Sequence, residues 1–150
     1  MAAFRRALPM RGHRRALDVI GFADGRADSP LESVSRVSMH AAGVPQPALQ
    51  LPFSDGNGLI GVVDFAWPEA RVIGEADGDV KYLDSAMRAG RSADRVVLDE
   101  KVREDRLRAL GWRVVRWRWA IASDPGRLGA VLEEAGVPRD RTASRTVCSV

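Results

Sequence analysis

Apolar positions change their period along this chain, and each change marks an element. Leu31, Val34 and Val37 recur at helical spacing and predict a helix running to about Ala42. Its start reads clearly: Ser29 suits the cap, Pro30 the first helical position, and Glu32 the first turn, where a negative charge meets the positive end of the helix dipole. Gly43, with Pro45 and Pro47 beyond it, stops the helix. Three extended runs follow, Ala48 to Phe53, Leu59 to Ala66 and Arg71 to Ala76. Ser54-Asp55-Gly56-Asn57-Gly58 is a hairpin signal between the first two, and Trp67-Pro68-Glu69-Ala70 turns the chain into the third, so the runs predict an antiparallel meander. Helical spacing returns over residues 81–110. It is weakest at Gly90 and firmest from Arg95 to Leu110, where Val96, Val97, Val102, Leu107 and Leu110 form the apolar set and Gly111 ends the run. Trp112 to Trp119, rich in Trp and Val, predicts a fourth strand, and Asp124-Pro125 opens a last helix from Gly126 to Ala135. The expected fold is α/β, in the order helix, three-stranded meander, helix, strand, helix, with a mixed four-stranded sheet. Its last strand should pair parallel through a right-handed crossover.

The ends of the chain differ from its middle. Residues 1–27 form an arginine-rich segment in which Arg14 to Ala23 reads as a helix with Leu17, Ile20 and Gly21 on one side. Residues 28–136 form the domain, and residues 137–150 a polar tail expected to be disordered. The acid-free N-terminus has the look of a transit peptide, but its continuation as a helix favours the remnant of a longer protein. At 150 residues the chain suits one domain with a core. No apolar run is long enough for a membrane helix, and the single cysteine, Cys148, excludes an internal disulfide or a cysteine-rich zinc site. A cytoplasmic location is expected. The net charge of +3 belongs to the ends: eight of the 23 basic residues and only one of the 20 acids lie in residues 1–16 and 139–150, so the middle is mildly acidic.

Acids gather where the meander ends. Between Asp55 and Asp79 stand six acids and one base, Arg71. Asp64 lies near the end of the second run and Glu75 near the end of the third, positions that adjacent antiparallel strands bring close. Close carboxylates repel unless a cation or a proton sits between them, and oxygen ligands of this kind suit Mg²⁺ or Mn²⁺. The plain alternative is a pair of strand-end acids facing water. Against it, Asp64 is set among Val62, Val63, Phe65 and Ala66, where an acid is costly without a partner.

Five motifs occur in order: Ser29-Pro30-Leu31-Glu32-Ser33, Pro47-x-x-Gln50, Val63-Asp64-Phe65-Ala66-Trp67-Pro68, Val72-Ile73-Gly74-Glu75-Ala76-Asp77-Gly78-x-x-Lys81, and Arg103-x-x-Arg106-Leu107-x-x-Leu110-Gly111-Trp112-x-Val114-x-Arg116. Over about residues 28–120 this order resembles the DUF559 family, a branch of the PD-(D/E)XK nuclease superfamily related to the very-short-patch-repair (Vsr) endonucleases. The resemblance implies a restriction-endonuclease-like core and a metal-dependent endonuclease acting on DNA. Asp64 would then be the metal-binding aspartate and Glu75 the first acid of the (D/E)XK element. The backbone carbonyl of Ala76 would add a ligand, Glu32 would reach the same site from the first helix, and Gln50 would be a polar site residue on the first strand. The motif departs from the family at its lysine, because Asp77 stands in that place. Lys81 matches a position where relatives carry His or Lys and would orient the attacking water, unless it is a surface lysine. Asp77 becomes a further metal ligand or a turn-shaping residue. Gly74 replaces a large apolar residue and is expected to loosen the strand.

Arg103 to Arg118 holds six arginines and two acids. Arg103, Arg106 and Arg116 are candidates for phosphate contacts, or else part of a solvated helix face paired to Glu104, Asp105 or their neighbours. Trp112, Trp117 and Trp119 suit core packing better than base stacking. His13 and His40 read as structural or surface residues and Cys148 as a thiol without a role. The expectation is a Mg²⁺- or Mn²⁺-dependent nuclease domain. Its alternative is an inactive nucleic-acid- or partner-binding module of an antitoxin-like regulator.

Overall fold

Ser29 and Glu32 set the first helix by capping each other. In the computed structural model, which describes residues 21–78 and 93–140, Ser29 Oγ accepts the Glu32 N–H at 3.1 Å and donates to Glu32 Oε1 at 2.7 Å. Glu32 Oε2 accepts the Asp28 N–H at 2.9 Å. This is a capping box displaced by one residue, with Pro30 at the first helical position. Helix α1 (Pro30–Ala41) buries Leu31, Glu32, Ser35, Ser38 and Met39. It ends in a Schellman motif: the Gly43 N–H reaches the His40 carbonyl, and the Val44 N–H reaches that of Met39.

The meander forms as the alternation predicts. Strand β1 (Ala48–Asp55) turns at Gly56-Asn57 into β2 (Gly58–Trp67). A 3₁₀ turn over Pro68–Ala70 leads to β3 (Val72–Ala76). Helix α2 (Ala93–Ala109) precedes β4 (Arg113–Trp117), followed by a short α3 (Trp119–Ala122) and by α4 (Pro125–Glu134), whose cap is Asp124. The sheet order is β1-β2-β3-β4. The first two pairings are antiparallel, and β3 pairs parallel with β4, as expected for a strand entering after a long helix. No helix among the described residues is long and apolar enough to cross a membrane.

Two apolar clusters sandwich the sheet. Leu31, Met39, Phe65, Trp67, Val72, Trp117, Leu128 and Leu132 join α1, α3 and α4 to one face. Phe53, Val63, Ala66, Ile73 and Leu107 form the smaller cluster under α2. Alternation along β3 sends Val72 and Ala76 to the first face and Ile73 to the second, and Glu75 follows Ile73 towards α2.

Three expectations are corrected. The fourth strand ends at Trp117; Arg118 is extended and caps the next helix, and Trp119 begins α3. The tail does not start at residue 137. Val137 is buried, Arg139 Nε donates to the Ala42 carbonyl at 2.6 Å, and the Asp140 N–H donates to the Gly43 carbonyl at 2.8 Å. These contacts tie the segment to the end of α1, and residues 141–150 lie outside the described residues. Gly74 does not loosen β3, because it pairs with Phe65 on one side and Val115 on the other. It makes room: a Cβ there would collide with the Trp117 ring and press on Trp67. Trp117 itself is core, stacked 5.5 Å from Phe65, and its Nε1–H donates to Ser35 Oγ at 2.8 Å. Trp112 packs edge-on to Phe53, while Trp119 is half exposed. The helix predicted before Ala23, the start of the long helix before Ala93, and His13, Lys81 and Cys148 lie outside the described residues.

The Trp117 contact yields a test. Gly74→Ala should destabilise the fold by roughly 1–3 kcal/mol in urea unfolding, the usual cost of overpacking, although alanine is the stiffer residue in the unfolded chain. An unchanged midpoint would contradict the packing role.

Candidate active site

Register alone brings three polar residues into one row. The β1–β2 pairs Leu49↔Phe65 and Leu51↔Val63 set Gln50 opposite Asp64. The β2–β3 pair Phe65↔Gly74, continued one step, sets Asp64 opposite Glu75, and Glu75 pairs with Arg116 of β4. At this row side chains take over from the ladder. Asp64 Oδ2 accepts the Ala76 N–H at 2.8 Å, which fixes the carboxylate at the end of β3. Gln50 adopts a left-handed backbone, φ 50°, a costly conformation for a residue with a side chain. Its Nε2 donates to Glu32 Oε2 at 2.9 Å and lies 3.5 Å from Asp64 Oδ1.

The structure therefore joins Glu32, Gln50, Asp64, Glu75 and Ala76. Glu32 reaches the row through Gln50, since its carboxylate is also engaged by Asp28 and Ser29. Among the described residues no three His, Cys, Asp or Glu side chains form a metal-binding group. His40 is exposed and packs against Phe22, remote in sequence from the row.

Glu75 is the unusual acid. Its side chain is 11% exposed and pairs with Arg103, whose Nη2 lies 2.9 Å from Oε1. Burial raises its pKa, and the charge of Asp64 adds to that; Arg103 and Arg116 pull the other way, and the balance is a pKa pushed up to about 7.

The arginines expected to contact phosphate are engaged within the chain. Arg103 bridges Glu75 and Glu100, the latter at 3.1 Å. Arg116 pairs with Glu100 and Glu104 and lies 3.6 Å from Asp77. Arg106 grips Asp55 with two bonds, at 2.6 and 2.8 Å, and donates to the Gly58 carbonyl at 3.0 Å, which clamps the β1–β2 hairpin to α2. That clamp holds the Asp55 carboxyl down at about 2. Local spacing pointed to Glu104, Asp105 or their neighbours as partners for Arg103 and Arg106; Arg103 does pair with Glu100 on its own helix, but Glu75 and Asp55, the other partners of Arg103 and Arg106, lie far away along the chain, in β3 and β1. Glu100 escaped sequence reasoning altogether, because an acid on a charged helix carries no local mark of a partner on β4.

No family model matches the chain, and no solved structure matches it. Two curated proteins of Mycobacterium tuberculosis, from strains CDC 1551 / Oshkosh and ATCC 25618 / H37Rv, are each 37% identical to it over 121 residues, 80% of its length. Both are named only as uncharacterized proteins, and the chain spans 41% of their length.

The position of Glu75 sets a pH dependence. Its folded pKa, about 7, lies above the ordinary 4.5, so the folded chain binds the proton more tightly than the unfolded chain. That contribution to stability is complete below about pH 4.5 and is lost as pH rises through about 7. Glu75→Gln should gain in melting temperature relative to wild type between about pH 5 and about pH 8. A constant difference across that range would show that the carboxyl titrates normally.

Proposed function

We propose that this chain carries a divalent-metal-dependent phosphodiester hydrolase site of the restriction-endonuclease-like PD-(D/E)XK type, acting on DNA. The observation that supports it most is the placing of Asp64 and Glu75 at facing register positions of neighbouring strands, with Glu75 desolvated and raised by the charge of Asp64. Two acids in that relation are tolerable when a cation lies between them. The donor chemistry suits a hard ion: the carboxylates of Asp64 and Glu75 and the backbone carbonyl of Ala76 are oxygen ligands, Asp77 would have to turn from Arg116 to add another, and Mg²⁺ keeps several waters where protein ligands are few. When bound, such an ion would polarise the phosphoryl group and lower the pKa of a water.

The chain's own residues have distinct parts in this reading. Asp64 is held by the Ala76 N–H and so offers a fixed oxygen. Gln50 holds the row to the capped end of α1 through Glu32. Lys81 would orient the attacking water or neutralise charge developing on phosphate. Arg103, Arg106 and Arg116 would meet a nucleic-acid backbone only in competition with their carboxylate partners.

One observation favours a second reading, a non-cutting nucleic-acid- or partner-binding module of an antitoxin-like regulator: Glu75 already has a counter-charge in Arg103. Supercoiled plasmid separates the two. With Mg²⁺, wild type should nick it, and Asp64→Asn should lose at least the roughly 10–100-fold that even outer-shell changes cost a metal site. Equal nicking by both, or none by wild type with Mg²⁺ or Mn²⁺, would overturn the hydrolase reading.

A further inference from the structure

We infer that Arg103 is a built-in counter-cation that competes with a divalent ion for Glu75, with Glu100 as the partner that keeps it when it lets go. The inference rests on the metal-site reading above and adds to it a control on loading.

Arg103 projects from α2 across β2 to reach Glu75, and its path is built for it. Nη2 donates both to Glu75 Oε1 and to the Val62 carbonyl, each at 2.9 Å, and Nη1 donates to Glu100 Oε1 at 3.1 Å. Gly61, at φ 151°, lies beneath the crossing, where a Cβ would come within 2.9 Å of Arg103 Nε. Any other residue there would push the guanidinium off its line.

The guanidinium and a metal ion want the same oxygen. The arginine engages Glu75 alone of the facing pair, whereas a divalent ion carries twice the charge and takes oxygens from Asp64 as well. Moving Arg103 aside does not strand a half-buried charge, because Glu100 and the Val62 carbonyl remain with it. Glu100 is shared with Arg116, which keeps Glu104 besides, so the acceptor stays in place through the exchange. Without metal, Arg103 offsets the burial of Glu75; with metal, it is displaced. The consequence is a site whose affinity is deliberately low.

The test is titration of the full chain with Mn²⁺ alone, read by calorimetry and by melting temperature. Arg103→Met should bind roughly fivefold more tightly than wild type, the factor matching about 1 kcal/mol of lost competition. It should melt lower without metal and gain more from it. Glu100→Gln should bind more weakly, because Arg103 then has one partner fewer to retire to. Arg95→Met, the same charge loss at an exposed position of the same helix, should leave affinity unchanged. Equal gains from Arg103→Met and Arg95→Met would make the effect one of general charge and overturn the inference. So would unchanged or weaker binding by Arg103→Met when wild-type binding is abolished by Asp64→Asn; the metal site itself would then stand. No binding by wild type or Arg103→Met would overturn the metal site and the inference together. Should Arg103→Met not fold, tighter or equal binding by Glu100→Gln overturns the inference, and weaker binding supports it.

Discussion

The ion pair between Glu75 and Arg103 is the contact on which α2 and the site both depend. Alternation along β3 gives Glu75 no choice of side: Val72 and Ala76 belong to the larger cluster, so Glu75 must point with Ile73 towards α2. A carboxylate in that position is costly unless paired and hydrogen-bonded. Arg103 supplies the partner. The same side chain seats the helix, for α2 is poorly equipped to seat itself. Leu107 is its one fully buried large side chain, while Val97, Leu98 and Val102 are exposed. Its place on the sheet is set mainly by directional polar contacts: Arg103 on Glu75 and Val62, Arg106 on Asp55 and Gly58, and Glu100 and Glu104 on Arg116. Buried ion pairs often add little net stability, but they fix register, and register is what α2 lacks otherwise.

The opposite face is ordinary and rigid by comparison. Trp117, Phe65 and Trp67 stack across it, and Gly74 leaves the space that this stack fills. Trp117 is tied to α1 by Ser35, and Trp67 Nε1 donates to the Pro45 carbonyl at 2.9 Å. The rigid face reaches the site by one route, the cap of α1: Glu32 both closes that helix and holds Gln50, whose left-handed backbone interrupts the β1–β2 ladder opposite Asp64. Strain at a polar residue, supported by a cap and next to a charged row, is the arrangement expected where geometry serves chemistry.

Much of this was legible in the order of residues. Ser29, Pro30 and Glu32 announced the first helix, Asp55-Gly56-Asn57-Gly58 the hairpin, and the long helix before Trp112 the parallel strand. The nearness of Asp64 and Glu75 followed from strand pairing alone. What stayed hidden is long-range. Gly74 looked like a weak point because the ring that fills the space above it stands on β4, 43 positions later. Arg106 looked free to meet a ligand because its partner, Asp55, lies in another element. The tail looked loose because its anchor is a carbonyl of Ala42 and another of Gly43, and backbone acceptors leave no trace in composition. Charge patterning finds neighbours along a helix; it does not find those that folding supplies.

On the reading proposed above, Glu75 exchanges one cation, the Arg103 guanidinium, for another. Crystals of the full chain soaked in Mn²⁺ and measured at the manganese absorption edge address it directly. The expected result is an anomalous peak bounded by Asp64 and Glu75, with the Arg103 guanidinium withdrawn from Glu75 and still bonded to Glu100. A peak at that place with Arg103 unmoved on Glu75, or manganese only at other carboxylates, would contradict it.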